Sequence, residues 1–526
     1  MFSNGSVKTV SSRTRLAITI TALLVVLLIY YNGSDTQWIS NAPSYGIYRL
    51  IPKFPSFNFT DISVDDDTGP VTISTTVSPK TVTTEKTTTK AEQMTRFRAT
   101  EQTTTTKTVP EVSGTPLRFR RRPFTEHVDC GRALRNDKVY MSRMENKRIV
   151  MKQNYSEPMD CPSIRKRVLP PKLLKPTGFG VAFARVVYQD YEFLEDEVRA
   201  LFHPENLFCF IVDKKSSKDF HQKMKQMSIC FPNVILVAKE FDVDSSGHHM
   251  NAAHYECMVQ LHKKPNWEYV ILLQNHDMII RTPYEMVALY KEMGGVNDVE
   301  LTPCPGDRIP KKLKNSTARE LKLFRNESLA TEKQLNAKLS YAKGAAQVSL
   351  SRETVRWLIE VIDLPVLINA FNSLGAFVDE QLYESLQVSD DLDMPGRFTY
   401  ECLKMGYNTD FVSRMSHWQY SNKKGCATET IRHAICLLGL EDVNYVSKYP
   451  NIMVNKFMPE FDYAGIDCVH EDMFNRTYFD TQPFNTTYYR EMASVKYHRA
   501  RKLSPNKEPT LDCSSKLPQW NHYKYP

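Results

Sequence analysis

Three features of the sequence predict an alternating α/β fold whose parallel sheet is covered by helices on both faces. Four short apolar runs, at 179–188 (FGVAFARVVY), 207–213 (LFCFIVD), 233–241 (NVILVAKEF) and 269–274 (YVILLQ), read as buried strands. Helical spacing falls between them: Leu194, Val198 and Leu201 share one face. Pro283 fits the first turn of a further helix through Val287 and Tyr290. Continuous apolar strands separated by helices indicate a sheet buried on both sides. In such sheets ligands bind beyond the carboxyl ends of the strands. Asp213 and the segment Gln274-Asn275-His276-Asp277 occupy those ends.

The chain has 526 residues, of which 41% are hydrophobic and 11% aromatic, enough for a large core. Only 19 glycines argue against collagen-like or elastic repeats. Lys plus Arg number 68 against 60 acids, a small excess spread along the chain. A nucleic-acid partner is not expected, since no zinc-finger or RNP-type motif accompanies it.

Residues 16–31 (LAITITALLVVLLIYY) carry no charge and read as a transmembrane signal-anchor. Lys8, Arg13 and Arg15 precede them without an acid, which keeps residues 1–15 cytosolic and sends the rest across the membrane. Residues 32–125 read as a lumenal stem. From about Asp65 to Pro116 the stem is Thr-rich and nearly free of large apolar residues, so it cannot bury a core. The remaining 126–526 form the folded module. All 11 cysteines lie in it, as do the sequons at Asn154, Asn315, Asn326, Asn475 and Asn485. An oxidising compartment follows, with an odd thiol left over. Arg118-Phe-Arg120-Arg121-Arg122 reads first as a solvated basic stretch; its R-x-R-R form also fits furin-like proteases, and cleavage after Arg121 or Arg122 would release a soluble form.

Several patterns carry less. Gly178-Phe-Gly180 precedes its strand and lacks a third glycine, so it is no dinucleotide fingerprint. No P-loop occurs. Asp242-Val-Asp244 and Asp391-Leu-Asp393 both spell D-x-D, which suits Mg²⁺ or Mn²⁺ in metal-dependent sugar transferases. Solvated loop acids are the plainer explanation of each. His248, His249 and His254 cluster without a spacing that fixes zinc geometry.

Four stretches then occur in a telling order: Cys209 to Lys215 (CFIVDKK), Cys230 to Val234 (CFPNV), Val378 to Leu386 (VDEQLYESL) and Trp418-Gln-Tyr420. With them the chain resembles the core-2/I-branching β-1,6-N-acetylglucosaminyltransferases, relatives of the protein xylosyltransferases, from about Cys130 to Cys468. The resemblance implies a GT-A-like, Rossmann-type fold and a type II protein of the Golgi membrane with its catalytic domain in the lumen. It implies inverting transfer from a UDP-sugar to an O-glycan or related acceptor without a metal cofactor. N-acetylglucosamine added as a β-1,6 branch is the expected reaction. A xylosyltransferase-like enzyme, a D-x-D metal-dependent transferase and a catalytically inactive lectin-like relative are the alternatives.

Residue by residue, the family's P-D-E-x-L-W motif matches Val378 to Tyr383, which carries the general base over to Glu380. Its pyrophosphate cations match Arg432 and Lys456, which take the place of a metal. Val186 and Asp213 match the nucleotide pocket, and Glu300, Arg308, Lys311, Trp418 and Tyr420 match acceptor contacts. The resemblance also implies the disulfides Cys130–Cys468, Cys161–Cys230, Cys209–Cys257 and Cys426–Cys436, leaving Cys304, Cys402 and Cys513 open. In the chain-entropy picture the first stabilises by about 4 kcal/mol or more. One departure stands out: Ser245, Ser246, Gly247 and His248 replace the family's tyrosine and tryptophan after the third strand.

Overall fold

The structure, a computed structural model, describes residues 117–144, 147–152, 155–406, 409–419, 426–504, 507–510 and 513. The anchor predicted at 16–31, the Thr-rich stem, Asn154 and Tyr420 lie outside the described residues. Among the described residues no helix is long and apolar enough to cross a membrane.

Strands β1 (Gly180–Val187), β2 (Leu207–Val212), β3 (Val234–Leu236), β4 (Trp267–Leu273) and β5 (Ser349–Ser351) form one sheet in the order β3-β2-β1-β4-β5. The first four run parallel, and β5 pairs antiparallel with β4. The sheet is therefore mixed rather than wholly parallel as predicted. Alternation along β1 explains why both faces are dry: Val181, Phe183 and Val187 enter one hydrophobic cluster, Ala182, Ala184 and Val186 the other. Gly180 opens β1 because a Cβ there would lie 1.7 Å from the Glu205 carbonyl oxygen.

Helices α1 (Tyr191–Leu201), α2 (Lys218–Cys230), α3 (Met250–His262) and α4 (Pro283–Met293) connect or flank the strands. Thr282 and Glu285 close a capping box at α4, with Pro283 at its first turn as predicted. β3 is shorter than its apolar run because only Val234 to Leu236 pair with β2, and the chain rejoins the sheet at a single Asp213–Phe241 bridge. Later come α5 (Arg352–Glu360), α6 (Leu382–Val388) and α7 (Tyr463–Tyr478). The four implied disulfides are present, a fifth joins Cys402 to Cys513, and Cys304 stays free.

The folded module begins earlier than the expected stem boundary at 125. Arg122 is 3% exposed and donates to Asp196 at 2.9 Å, Glu157 at 3.0 Å and Glu195 at 3.3 Å. Arg121 pairs with Glu471, and Thr125 bonds the Asp467 carboxylate. Arg121 and Arg122 are thus packed among carboxylates of α1 and α7, while Arg118 and Arg120 stay exposed. A protease subsite needs an extended, accessible chain, so the expectation of cleavage after Arg121 or Arg122 is overturned.

Candidate active site

The loops beyond the carboxyl ends of β1, β2, β3 and β4 enclose a cleft of about 1070 Å³. Val186, Asp213, Arg432 and Lys456 all line it, although 270 positions of sequence separate the first from the last. Val186 points from β1 and is 5% exposed. Asp213 ends β2, and its two carboxylate oxygens accept from Lys215 N at 2.7 Å and Val243 N at 3.1 Å. It thereby fastens the β2 and β3 loops to each other at the cleft.

The cations arrive on a later segment. Lys456 follows Asn455, whose amide donates to Asp277 Oδ1 at 2.8 Å. Asp277 also accepts from Gln274 N at 2.6 Å and from Gln347 at 2.9 Å. This carboxylate therefore locks the turn after β4 to the segment that carries Lys456. Burial, with Arg414 and Arg432 nearby, pushes the Lys456 ammonium down to about 8. Arg432 is exposed, and among the described residues its ion-pair partner is Glu460, at 3.1 Å. Arg432 and Lys456 thus stand together on one wall of a cleft whose other walls carry acids such as Asp190, Asp213 and Asp379, and that wall is a setting for an anion.

At the rim stand Asp379, which lines the cleft, and its neighbour Glu380, which turns toward the next cluster. Arg308 pairs with Glu380 at 3.2 Å and lies 4.1 Å over the Phe377 ring. Burial raises the Glu380 carboxyl, opposed by Arg308, Lys343 and Arg414. Glu300 is raised by burial too, and Arg414 and Lys343 act on it as well. Asp379 is pushed up to about 6 by burial and the adjacent Glu380. Glu384, on α6 four positions after Glu380, is fully buried, has no hydrogen-bond partner for either oxygen among the described residues, and burial pushes its carboxyl well above the usual range. Glu300, Arg308 and Glu380 are therefore brought together. Trp418 joins them through Arg414, whose guanidinium sits 5.9 Å from its ring. Lys311 is exposed on the loop beyond Arg308 and makes no ion pair among the described residues.

Sequence reading passed over Lys343 and Arg414, which have no motif around them, and Asp379, overshadowed by its neighbour. It did single out the turn after β4. There Asn275 Oδ1 accepts from Tyr188 N at 2.7 Å and Gln189 N at 3.2 Å, while its buried Nδ2 has no partner among the described residues. Neither D-x-D pair converges on a shared point. Asp242 pairs with Lys215 and Asp244 with His248, while Asp391 pairs with Lys333 and Asp393 with Arg397 and Arg501. Among the described residues the group with metal-ligand spacing is instead Asp190, His276 and Glu460 on the cleft wall. Asp190 is bonded to His276 at 2.6 Å and Glu460 to Arg432, so both acids already hold partners.

The family model described as Core-2/I-Branching enzyme matches residues 181–447, just over half of the chain. Among curated proteins, the chain is similar to "Beta-1,3-galactosyl-O-glycosyl-glycoprotein beta-1,6-N-acetylglucosaminyltransferase 3" of Rattus norvegicus. The two are 24% identical over 387 residues, 68% of this chain and 86% of that protein. It is also similar to the beta-1,3-galactosyl-O-glycosyl-glycoprotein beta-1,6-N-acetylglucosaminyltransferase of Bos taurus, 25% identical over 339 residues, 62% of this chain and 77% of that one. The enzyme of the same name from Homo sapiens is 26% identical over 328 residues, 60% and 75% of the two chains. With its five-stranded sheet and the cleft beyond the strand ends, the chain belongs to the Core-2/I-branching enzyme family of glycosyltransferases.

Proposed function

We propose that this protein transfers N-acetylglucosamine from UDP-N-acetylglucosamine to a hydroxyl of an O-glycan acceptor, forming a β-1,6 branch with inversion and without a metal ion. The observation that carries the reading is the shared cleft: the nucleotide-side residues Val186 and Asp213 and the cations Arg432 and Lys456 line one cavity, with Asp379 at its edge beside Glu380. In this mechanism the pyrophosphate lies against Arg432 and Lys456, which stabilise the charge that develops as UDP departs. Glu380, ionised and paired with Arg308, accepts the acceptor hydroxyl proton as oxygen attacks the anomeric carbon. Glu300, Arg308, Lys311, Trp418 and Tyr420 hold the acceptor sugar. The protein works as a type II enzyme of the Golgi membrane.

The names of the relatives support the donor and the linkage. The test is a transfer assay with the purified chain, a panel of UDP-sugars and O-glycan acceptors, with and without EDTA. Transfer from UDP-N-acetylglucosamine that survives EDTA is expected. Transfer abolished by the chelator would instead assign Asp190, His276 and Glu460 to a divalent ion.

A further inference from the structure

The loop from β3 to α3 is the part of the site where the chain departs from the family pattern, and it grips the segment that carries the acids. Asp244 organises it: Oδ1 accepts from Ser246 N at 2.9 Å and His248 N at 3.1 Å. Across the gap, Val378 N donates to Ser246 O at 3.1 Å, His249 N to Asn372 Oδ1 at 2.7 Å, and Asn251 Nδ2 to Val378 O at 3.2 Å. Gly247 lies directly against Asp379, since a Cβ there would meet Asp379 Oδ1 at 2.0 Å. Its φ of +86° also belongs to the region where glycine is at ease. The loop therefore fixes the backbone of 372–380 from one side.

One tether in this set depends on charge. His248 Nδ1 lies 2.8 Å from Asp244 Oδ2, and Nε2 lies 2.9 Å from the Leu374 carbonyl oxygen. Both partners are acceptors, and a neutral imidazole has one N–H. Only the imidazolium satisfies both contacts; the neutral ring would press a lone pair against an oxygen. Asp244 stays ionised because, against its burial, it accepts from the His248 ring and from the His248 and Ser246 amides. The charged groups facing the ring are Asp244 on its own loop and Asp379 on the opposing segment, and both favour the charged form.

The geometry points to His248 as a positioning residue: as an imidazolium it clips the β3–α3 loop to Leu374 and so holds Asp379 and Glu380 in place. The inference rests on the reading of Glu380 as the base. When pH rises through the His248 pKa the clip opens, the 374–380 stretch loosens and the base loses its aim. Phe377 adds to the consequence, since it is held at a φ of +56° that a bulky residue adopts only under restraint.

The test uses the full chain and two readouts. Hydrogen exchange of 372–380, corrected for intrinsic rates, is expected to be about tenfold slower at pH 6 than at pH 8 in the native protein. In His248→Ala, and in the uncharged, bulkier His248→Gln, it is fast at both. The pH profile of kcat is the second readout. The native enzyme loses turnover on the alkaline side with the pKa that ring NMR assigns to His248, whereas the variants start about tenfold lower and lack that limb. A variant with native exchange, or one that keeps the native alkaline limb, would overturn the clip; so would an equal loss at every pH. A native protein that transfers no sugar would instead remove the proposed function, while exchange in 372–380 still decides the clip.

Discussion

The two sides of the site prepare their charges in opposite ways. On the cleft side Arg432 and Lys456 line a polar hollow, and burial beside other cations has already loosened the Lys456 proton. On the other side Glu300, Glu380 and Glu384 crowd together behind Asp379 at the cleft edge, and burial raises all four. An anionic ligand relieves the first strain, and a proton relieves the second. In the mechanism we propose, that is the division of labour a displacement needs: one wall for the departing pyrophosphate, the other for the acceptor proton. Arg122 provides the contrast, a cation whose charge three carboxylates match completely and which therefore holds the fold rather than a ligand.

The largest effect should fall on the acid side. Glu380→Gln keeps size and hydrogen bonding but removes basicity, and turnover in a UDP-sugar transfer assay should drop by about 10²–10⁴-fold. Next is Arg122→Ala, which takes from buried Glu195 and Asp196 the cation they share and leaves them only Arg167 and Arg199. Removing one partner from such a buried cluster destabilises toward the lower end of about 3–5 kcal/mol, read by denaturant unfolding. Native protein should resist a basic-site protease at Arg121 and Arg122 for the same packing reason. Lys456→Ala and Arg432→Ala should each weaken UDP binding by about 10–100-fold, the range of a lost charge-assisted contact.

The smallest effects are those of pH, and their signs differ between the two sides. Lys456 must be protonated to hold pyrophosphate, so UDP affinity should be full below about 8 and fall as pH rises through that value. Glu380 must be ionised to act, and its carboxyl is raised, so turnover should fall as pH drops through a value above the ordinary glutamate range. Calorimetry between pH 7 and 9 checks the first, and a kcat profile on the acid side checks the second.

The same contrast explains what could be read in advance. The cleft side hangs on β1, β2 and β4, whose apolar runs are long enough to see, and Asp213 and the turn after β4 follow from the strand ends. β5 is the polar triplet Ser349-Leu350-Ser351, which no periodicity marks. Lys343 and Arg414 come from two-residue strands. The Arg122 cage depends on carboxylates of α1 more than 70 residues away, so a basic stretch looked like a solvated protease site. Cys402–Cys513 closes over a separation of 111 residues that no resemblance supplied. Local pattern reaches the sheet, whereas the charges that define the site are placed by tertiary packing.

The central claim is that binding and proton removal reside on separate walls. UDP titration of native protein, Glu380→Gln and Lys456→Ala, measured beside their turnover, tests it most directly. Glu380→Gln should bind UDP like the native protein while losing transfer, and Lys456→Ala should lose both. A Glu380→Gln protein with near-native turnover, or a Lys456→Ala protein with near-native UDP affinity, would contradict the account.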